Sequence, residues 1–438
     1  MREPVSGRIM EAKNQKQEHT GSYYAATAND ATDYAVLKGN VSADVCVVGG
    51  GFTGVATALT LAERGYSVAL VEANRIGWGA SGRNGGQLIN GVNGHEKIVR
   101  KHGPGTDDIL WDLGWRGHEI IYERVEKYAI DCDLKAGFVY AALKARQVAE
   151  IEALAENHAR RNFPHPHEVW DRHRTQEMLG TDAYLGAFAN YRDGHLHPLN
   201  LCIGEARAAA ALGASIFEQS PVVDIEHGPR PRVITQAGSV QADAVVLAGN
   251  AYSRLEQRRL SGLVFPAGSY IIATEPLDER TGRRVNPADV AVCDLNEVVD
   301  YHRLSADKRL LYGGACNYSG RDPTDIKAYI LPRLLKVYPQ LRGGRIDFQW
   351  GGMIGIVPNR IPAVGRIDGN IYYCQGYSGH GVNSTHVMGE IVADAIGGTL
   401  EKFDLFAEMK HLRLPGSRWL GNQLLALGML YYKLKDRL

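Results

Sequence analysis

The sequence lacks an excess of either charge and has few cysteines, and each shortage excludes a class of protein. Lys and Arg together number 49, as do Asp and Glu, so the formal net charge is zero and no nucleic-acid partner is expected. The six cysteines are scattered and form no C-x-x-C pair. Free thiols in a reducing compartment are therefore favoured over a disulfide framework.

Long apolar runs are also absent. No segment approaches the run of about eighteen apolar residues that a membrane-spanning helix needs, so a cytoplasmic protein is expected. The N-terminal extension covers residues 1–40. Its first part, MREPVSGRIMEAKNQKQEHTGS at residues 1–22, is polar, lacks a signal peptide's apolar core and is expected to be mobile. The C-terminal tail, residues 401–438, is predicted to be helical, with Lys433, Lys435 and Arg437 after an apolar stretch. Packing against its own domain is favoured over contact with a membrane.

Residues 44–72, DVCVVGGGFTGVATALTLAERGYSVALVE, predict a strand, a helix and a second strand. The first strand ends in Gly49-x-Gly51-x-x-Gly54, which permits a tight turn and a close approach of backbone to a pyrophosphate. The following helix would offer its unpaired N-terminal N–H groups to the phosphates. Glu72, 23 residues after Gly49, is placed to accept hydrogen bonds from a ribose. The unit therefore predicts a dinucleotide-binding site.

Two later segments return to this pattern. A short apolar strand ends in Ala248-Gly249, and the predicted strand at 370–375 is followed by a glycine loop at 376–381 and a helix. The stretch 76–87 holds five glycines in twelve residues, which lets the backbone run close to a flat ligand. The chain therefore enters the nucleotide domain more than once.

The predicted fold class is α/β: a Rossmann-type nucleotide-binding domain interleaved with a substrate domain built on a large, mostly antiparallel sheet. We assign residues 41–100, 199–255 and 355–400 to the first domain. Residues 101–198 and 256–354 are assigned to the substrate domain.

These segments resemble the FAD-dependent D-amino-acid-oxidase-like family of amine oxidoreductases from about residue 40 to residue 400. The motifs that carry the resemblance are VVGGGFTGVATALTLAERG, SGRNGGQ, VVLAGNAY, WGGMIGIVPNRIPAVGR and QGYSGHGVNSTH. More narrowly, SYYAA, ASGRNGGQ, GHLHPLNLCIGEA, YHRL and LLYGG are similar to the gamma-glutamylputrescine oxidoreductases. Those enzymes use FAD to oxidise a free primary amine of a polyamine or of its gamma-glutamyl conjugate.

The resemblance implies an FAD-binding domain with non-covalent FAD, because the cysteine that some relatives couple to the flavin is missing. It also implies that backbone of Val222 meets the adenine and that a helix N-terminus near residue 381 points at the flavin. The implied cofactor-binding residues are Gly49, Gly51, Thr53, Gly54, Glu72, Ala73, Ser81, Gly82, Arg83, Asn84, Gly85, Gly86, Gln87, Val222, Ala248, Gly249, Gly376, Ser378, Gly379, His380 and Gly381.

The candidate catalytic residues are Tyr301, Arg303, Trp350 and His380. Tyr301 and Arg303 alternate on one face of a strand, although Tyr301 fits equally well as a half-buried sheet aromatic. His380 is expected to supply positive charge near the flavin, with a ring turned away as the alternative.

A departure from the small-amino-acid oxidases bears on the substrate. The resemblance implies that those oxidases clamp the substrate carboxylate with an arginine where this chain has Ile354. The substrate therefore is predicted to carry no carboxylate on the oxidised carbon. No metal site is predicted, because His195-x-His197 has no third ligand nearby.

The predicted function is FAD-dependent oxidation of the primary amine of gamma-glutamylputrescine or a related polyamine, by hydride transfer to flavin N5. The partners would be a small-molecule amine and O2 or another electron acceptor. Two alternatives stay open: a secondary-amine or amino-acid oxidase of the same family, and a flavin-binding subunit without turnover.

Overall fold

The computed structural model describes residues 18–253, 260, 262–318, 322–413 and 423. Helices occupy both ends and the middle of this range, together with short 3-10 turns at Ala80–Gly82, Asn250–Tyr252 and Pro339–Leu341. The α-helices are α1 (Tyr23–Ala26), α2 (Phe52–Glu63), α3 (His95–His102), α4 (Thr106–Lys127), α5 (Ala145–Arg160), α6 (Arg172–Leu179), α7 (Pro198–Ala211), α8 (Glu279–Gly282), α9 (Ile326–Val337), α10 (Gly381–Ile396) and α11 (Glu401–Ala407).

The strands build two sheets. They are β1 (Gly39–Val48), β2 (Val68–Val71), β3 (Gln87–Leu88), β4 (Lys135–Ala142), β5 (His167–Trp170), β6 (Gly186–His195), β7 (Ser215–Phe217), β8 (Val222–Glu226), β9 (Arg232–Thr235), β10 (Gly238–Leu247), β11 (Phe265–Thr274), β12 (Ala291–Asp294), β13 (Tyr301–Leu304), β14 (Leu310–Asn317), β15 (Ile346–Ile356), β16 (Ala363–Ile367) and β17 (Ile371–Gln375).

The first sheet runs in the order β16-β17-β10-β1-β2-β7, with β9 beside β10 and β8 beside β9. Its central pairs are parallel, namely β17 with β10, β10 with β1, β1 with β2 and β2 with β7. Helix α2 follows β1 and packs against α7 and α10 on one face of the sheet. Because all four residues of β2 are buried, this strand is a continuous apolar run of the kind that a covered parallel sheet requires.

The second sheet runs in the order β15-β11-β14-β13-β12-β4-β6-β3, with β5 beside β6. All of its described pairs are antiparallel except β12 with β4. A separate core lies against it, in which Ile272 and Tyr312 pack with Ile330 and Leu334 of α9. The predicted α/β class, with a parallel nucleotide-type sheet and a large mostly antiparallel sheet, is confirmed.

Of the polar stretch expected to be mobile, residues 1–22, only residues 18–22 are among the described residues. Helix α1 is capped by the Ser22 hydroxyl, which accepts the Ala25 N–H at 3.1 Å. Tyr23 and Tyr24 are 3% and 0% exposed, because their rings pack into the main core. The extension is therefore an integral part of the fold from residue 18 onward.

Strand β3, although inside the range 41–100, pairs with β6 of the second sheet. The chain therefore reaches the second sheet before residue 100, where the first segment of the nucleotide domain was expected to end. The assignment of the domain boundaries stays a proposal. In the tail, α11 is helical, whereas the apolar and basic segment 419–438 lies outside the described residues apart from Gln423. Within the described ranges, no helix combines the length and the apolarity needed to cross a membrane.

A buried carboxyl at the end of β12 predicts a pH-dependent stability. Asp294 is 3% exposed, and burial together with the Asp300 carboxylate raises the pKa of Asp294 to about 7. Since the folded-state pKa lies above the ordinary value near 4, the protonated group's contribution to stability is full below about pH 4. That contribution is lost as the pH rises through about 7.

Asp294→Asn keeps this side chain neutral at every pH. We expect the melting temperature of the variant, relative to that of the native protein, to increase between about pH 5 and about pH 8. Circular dichroism melts at several pH values measure the difference. If the melting temperatures of the native protein and of Asp294→Asn differ by the same amount at every pH in this range, the prediction is wrong.

Candidate active site

The carboxyl ends of three neighbouring parallel strands meet at one edge of the first sheet. Val48 at the end of β1 lies opposite Leu247 of β10, and Leu247 lies opposite Tyr373 of β17. The segments after these strands are the turn at Gly49, the Ala248-Gly249 step and the loop that begins at Gly376. Parallel register therefore gathers sequence segments that are far apart, as expected for a ligand site in an open α/β sheet.

The turn after β1 requires glycine for steric reasons. Gly49 has φ of +112°, and a Cβ added there would lie 3.0 Å from the backbone of Ala248. A Cβ added at Gly54 would lie 1.8 Å from the Gly49 carbonyl oxygen. The turn and the first turn of α2 therefore pack backbone against backbone, which leaves room for a ligand to approach the N–H groups.

The N-terminus of α2 faces the loop at residues 81–87. Ser81 Oγ accepts the Phe52 N–H at 2.8 Å, and a Cβ at Gly51 would lie 2.9 Å from this oxygen. Thr53 uses its hydroxyl in a 2.7 Å hydrogen bond with the Tyr377 hydroxyl. The N–H groups of a first helical turn have no acceptor inside the helix, so those not taken by Ser81 suit an anionic phosphate.

Glu72 holds the glycine turn from the neighbouring strand. Its carboxylate accepts the Gly50 N–H at 2.6 Å and the Asn74 N–H at 2.8 Å. Burial raises the pKa of Glu72. The Glu72 carbonyl accepts the Ser220 N–H at 2.8 Å, which brings the start of β8 at Val222 close to the same edge. Ala73 is exposed beside Glu72.

The loop at residues 81–87 is folded by its own asparagine. Asn84 Nδ2 donates to the carbonyls of Ala80 and Ser81 at 3.1 and 2.9 Å, while Asn84 Oδ1 accepts the Gly86 N–H at 2.8 Å. Gln87 Nε2 donates to the Val292 carbonyl at 3.0 Å and so ties the end of the loop to the second sheet. The Asn84 side chain therefore shapes the loop rather than facing a charge.

Arg83 and Trp350 meet at the next part of this loop. Arg83 lies over the Trp78 ring at 4.3 Å from its centroid, and its Nε donates to the Trp78 carbonyl at 2.8 Å. Trp350, 2% exposed, donates its Nε1–H to the Arg83 carbonyl at 3.0 Å. The polar atom of Trp350 therefore holds the loop, which indicates a positioning role, and the expected catalytic role stays a prediction.

Arg303, on β13 of the second sheet, also holds the loop at residues 81–87. Its Nε donates to Gly85 O at 2.8 Å, and its Nη2 donates to Leu196 O at 2.8 Å and to the Tyr24 hydroxyl at 3.1 Å. Only 3% of this residue is exposed. Its guanidinium binds backbone carbonyls of the protein, which indicates a positioning role, and the expected catalytic role of Arg303 stays a prediction.

Tyr301 is confined between two glycines. A Cβ at Gly85 would lie 2.6 Å from the Tyr301 ring, and a Cβ at Gly313 would lie 2.5 Å from it. The Tyr301 hydroxyl lies 3.3 Å from Ser269 Oγ, and burial raises the pKa of this phenol. A neutral phenol therefore lies against the loop at the face of the second sheet.

The loop at residues 376–381 is tied to the end of β15. Ser378 donates its N–H to the Gly355 carbonyl at 2.8 Å, and its hydroxyl accepts the Val357 N–H at 3.2 Å. Gly376 has φ of +81°, and a Cβ there would lie 2.2 Å from a Val357 methyl group. Gly379 has φ of +94°, and a Cβ added there would lie 3.9 Å from Ile354 Cδ1. The loop thus brings the start of α10 to the edge where β15 ends.

A lowered pKa disfavours the positive charge expected of His380, whose role stays a prediction. Its Nε2–H donates to the Asn90 carbonyl at 2.9 Å, and desolvation by burial lowers the pKa of the imidazole. The neutral ring precedes Gly381, the first residue of α10. Positive potential at this loop therefore comes from the helix N-terminus rather than from the histidine.

Comparison with known proteins agrees with this geometry. Residues 44–395 match the family described as FAD dependent oxidoreductase. The chain belongs to this FAD-dependent oxidoreductase family. Gamma-glutamylputrescine oxidoreductase of Escherichia coli (strain K12) is 44% identical over 424 residues, covering 96% of this chain and 99% of the relative. A probable oxidoreductase, OrdL, of Haemophilus influenzae is 40% identical over 429 residues, covering 96% and 98%.

Solved structures with lower sequence identity to this chain share its fold. The crystal structure of glycine oxidase from Geobacillus kaustophilus aligns with a TM-score of 0.70 at 24% identity. The alignment covers 85% of this chain and all of that structure. At this identity the likeness concerns the fold alone.

The residues present fit FAD, as the family requires. The crowded glycines of the first turn leave no room for side chains, so the backbone can approach a pyrophosphate closely. Glu72 presents a carboxylate already oriented by two N–H donors, which suits a ribose hydroxyl. Helix α10 begins at the same edge, so the N–H groups of its first turn could stabilise negative charge on the cofactor.

Several residues that shape this site are missing from the sequence-based expectations. Asn250 Oδ1 accepts the Gly376 N–H at 3.0 Å and joins the loop after β10 to the loop after β17. Tyr252 accepts the Met353 N–H at 2.7 Å, and Asn90 accepts from His380. Asn250 stands in the family-like string VVLAGNAY, where an asparagine with φ of +45° is a detectable turn signal.

The two histidines of the His195-x-His197 pair lie in different elements and make different contacts. His195 ends β6 and its Nε2–H donates to the Asp289 carbonyl at 3.2 Å. His197 caps α7, where its Nδ1 accepts the Asn200 N–H at 3.1 Å. The two rings therefore serve separate backbone contacts.

A matched pair of tryptophans tests the positioning role of Trp350. Trp350→Phe removes the hydrogen bond to the Arg83 carbonyl, so we expect FAD affinity to fall about three- to tenfold. Trp170→Phe removes the same indole from another buried strand position, where Nε1 has no hydrogen-bond partner among the described residues. Its FAD affinity should equal that of the native protein.

Fluorescence titration of the two apoproteins with FAD gives both dissociation constants. Equal affinities in the two variants would show that the Trp350 indole does not hold the cofactor loop.

Proposed function

We propose that this FAD-dependent oxidoreductase oxidises the terminal CH2–NH2 group of gamma-glutamylputrescine or a related polyamine. The imine formed would be hydrolysed to an aldehyde and ammonia. The 44% identity to gamma-glutamylputrescine oxidoreductase over 96% of the chain supports this substrate class. The observation that carries the proposal is the position of Ile354.

Ile354 lies on the face of β15 that meets the cofactor loops. Gly352, two residues earlier on the strand, faces the Arg83 side chain, and Ile354 Cδ1 faces Gly379 in the loop before α10. The Ile354 side chain packs against an apolar cluster that includes Ala267 and Val298. An isoleucine cannot form an ion pair with a carboxylate, so this position favours a substrate that bears no carboxylate on the oxidised carbon.

The neighbouring polar groups suit an uncharged amine. The Tyr301 and Ser269 hydroxyls lie 3.3 Å apart on the face of the second sheet that meets the loop. Since burial raises the pKa of Tyr301, its hydroxyl stays neutral and can both donate and accept a hydrogen bond. A buried amine between such groups loses its proton more readily than in water, which frees the nitrogen lone pair needed for oxidation.

Bound non-covalently, FAD would accept the hydride from the carbon next to nitrogen, with O2 or another acceptor taking the electrons. The chain's own groups exclude water and orient the substrate. Trp350 and Arg303 fix the loop at residues 81–87, and Tyr301 closes the space between that loop and β14. Such fixed positioning lowers the entropic part of the barrier.

Anaerobic reduction of the purified yellow protein tests the substrate. We expect gamma-glutamylputrescine to bleach the flavin absorbance, because its terminal amine carbon carries no carboxylate. Glycine, sarcosine, proline and D-amino acids should leave the spectrum unchanged over the same interval. Bleaching by one of these amino acids, with none by any polyamine, would instead assign the chain to the amino-acid oxidases.

A second test changes Ile354 itself. Ile354→Arg places a guanidinium beside the amine position, where it opposes the positive charge that develops on the amine nitrogen as the hydride leaves. We therefore expect kcat/KM for gamma-glutamylputrescine to fall at least about tenfold. Ile354→Met keeps an apolar side chain of similar size and should stay within about threefold of the native value. Steady-state kinetics with both variants measure the effect. Native kcat/KM in Ile354→Arg would place Ile354 away from the reacting amine.

A further inference from the structure

A buried carboxyl group and a buried imidazole lie side by side behind the loop that precedes α10. Asp193 on β6 is 2% exposed, and His118 on α4 is fully buried. His118 Nε2 lies 3.0 Å from Asp193 Oδ1. Neither residue belongs to the positions from which the function was argued. Burying such a pair is costly unless further contacts use both partners.

The carboxylate is connected to His380 through the backbone of a single residue. Asp193 Oδ1 accepts the Asn90 N–H at 2.9 Å. The Asn90 carbonyl in turn accepts the His380 Nε2–H at 2.9 Å. Asp193 therefore fixes the strand segment that holds the His380 ring at the start of α10.

The imidazole of His118 is connected to α10 directly. Its Nδ1 lies 3.0 Å from Oδ1 of Asn383, which is in the first turn of α10. Asn383 Nδ2 donates to Gly114 O at 2.9 Å and to Gly91 O at 3.4 Å. Because the amide nitrogen faces these carbonyls, the amide oxygen faces the ring, and Nδ1 is the donor. A second proton, on Nε2, would place an imidazolium 3.0 Å from the Asp193 carboxylate.

Helix α4 packs closely against both Asn383 and Asn90. A Cβ at Gly117 would lie 2.1 Å from Asn383 Oδ1, and a Cβ at Gly114 would lie 2.3 Å from Asn90 Oδ1. The two glycines therefore allow the helix to carry His118 into contact with Asp193 and Asn383. Space for a larger side chain at either position is absent, so the pair is held in one arrangement.

We propose that His118 carries a proton on each ring nitrogen and that Asp193 and His118 are positioning residues that neutralise each other behind α10. The helix N-terminus then acts on the flavin without an opposing buried charge. The inference rests on the proposed flavin site. A carboxylate left alone at this position would oppose the negative charge that a flavin gains on reduction. An imidazolium left alone would favour that charge.

Single and double substitutions separate this charge effect from a general structural role. In Asp193→Asn the imidazolium is unopposed, and we expect the midpoint potential of bound FAD to rise above the native value. In His118→Gln the carboxylate is unopposed, and the potential should fall below it. The double variant should return close to the native potential. Dye-coupled reductive titration of the FAD-loaded proteins measures all four values without an amine substrate.

Shifts of the same sign in both single variants, or no shift in either, would overturn the inference. If His118→Gln does not fold, Asp193→Glu decides the question, because it keeps the charge and should hold the native potential while Asp193→Asn does not. An equal shift of the midpoint potential in Asp193→Glu and Asp193→Asn would overturn the inference. A native protein that binds no FAD would overturn the proposed function as well, whereas bound FAD with unshifted potentials overturns this inference alone.

Discussion

The close contact between the turns that follow β1 and β10 is the constraint on which the site depends. A side chain at Gly49 would meet the Ala248 backbone at 3.0 Å, and one at Gly54 would meet Gly49 O at 1.8 Å. These approaches let the parallel strands end at one edge while α2 begins there. Any larger residue would separate the strands, and Glu72 and the loop at residues 376–381 would no longer face the same space.

The loop at residues 81–87 joins this edge to the second sheet. Ser81 binds the start of α2, whereas Arg303 and Trp350 hold the loop's carbonyl groups from the second sheet. The N-terminal segment strengthens the same junction, because the Tyr24 hydroxyl accepts from Arg303 and its ring packs on Trp350 at 5.4 Å. The cofactor edge and the candidate substrate face are thus held in register by one glycine-rich loop.

Local sequence patterns predicted the elements that begin or end in glycine turns and have a clear apolar period. The β1–α2–β2 unit and the predicted strand at 370–375 match the observed elements closely. Strand β12 is not among the predictions, because four buried residues between loops carry no alternation to detect. Helix α9 is also missing, since Pro332 inside it reads as a helix breaker, although its buried residues pack on the second sheet.

By itself, the sequence determined the family, the two-sheet α/β class and the glycine segments suited to FAD, because turns and strand periods are local properties of the chain. Only the tertiary structure decided what the polar residues do. Arg303, Trp350 and His380 are candidates for catalysis on pattern alone, yet each uses its polar atoms on a backbone carbonyl of a distant segment. Hydrogen-bond partners across a fold depend on which strands lie side by side, and no local pattern encodes that pairing.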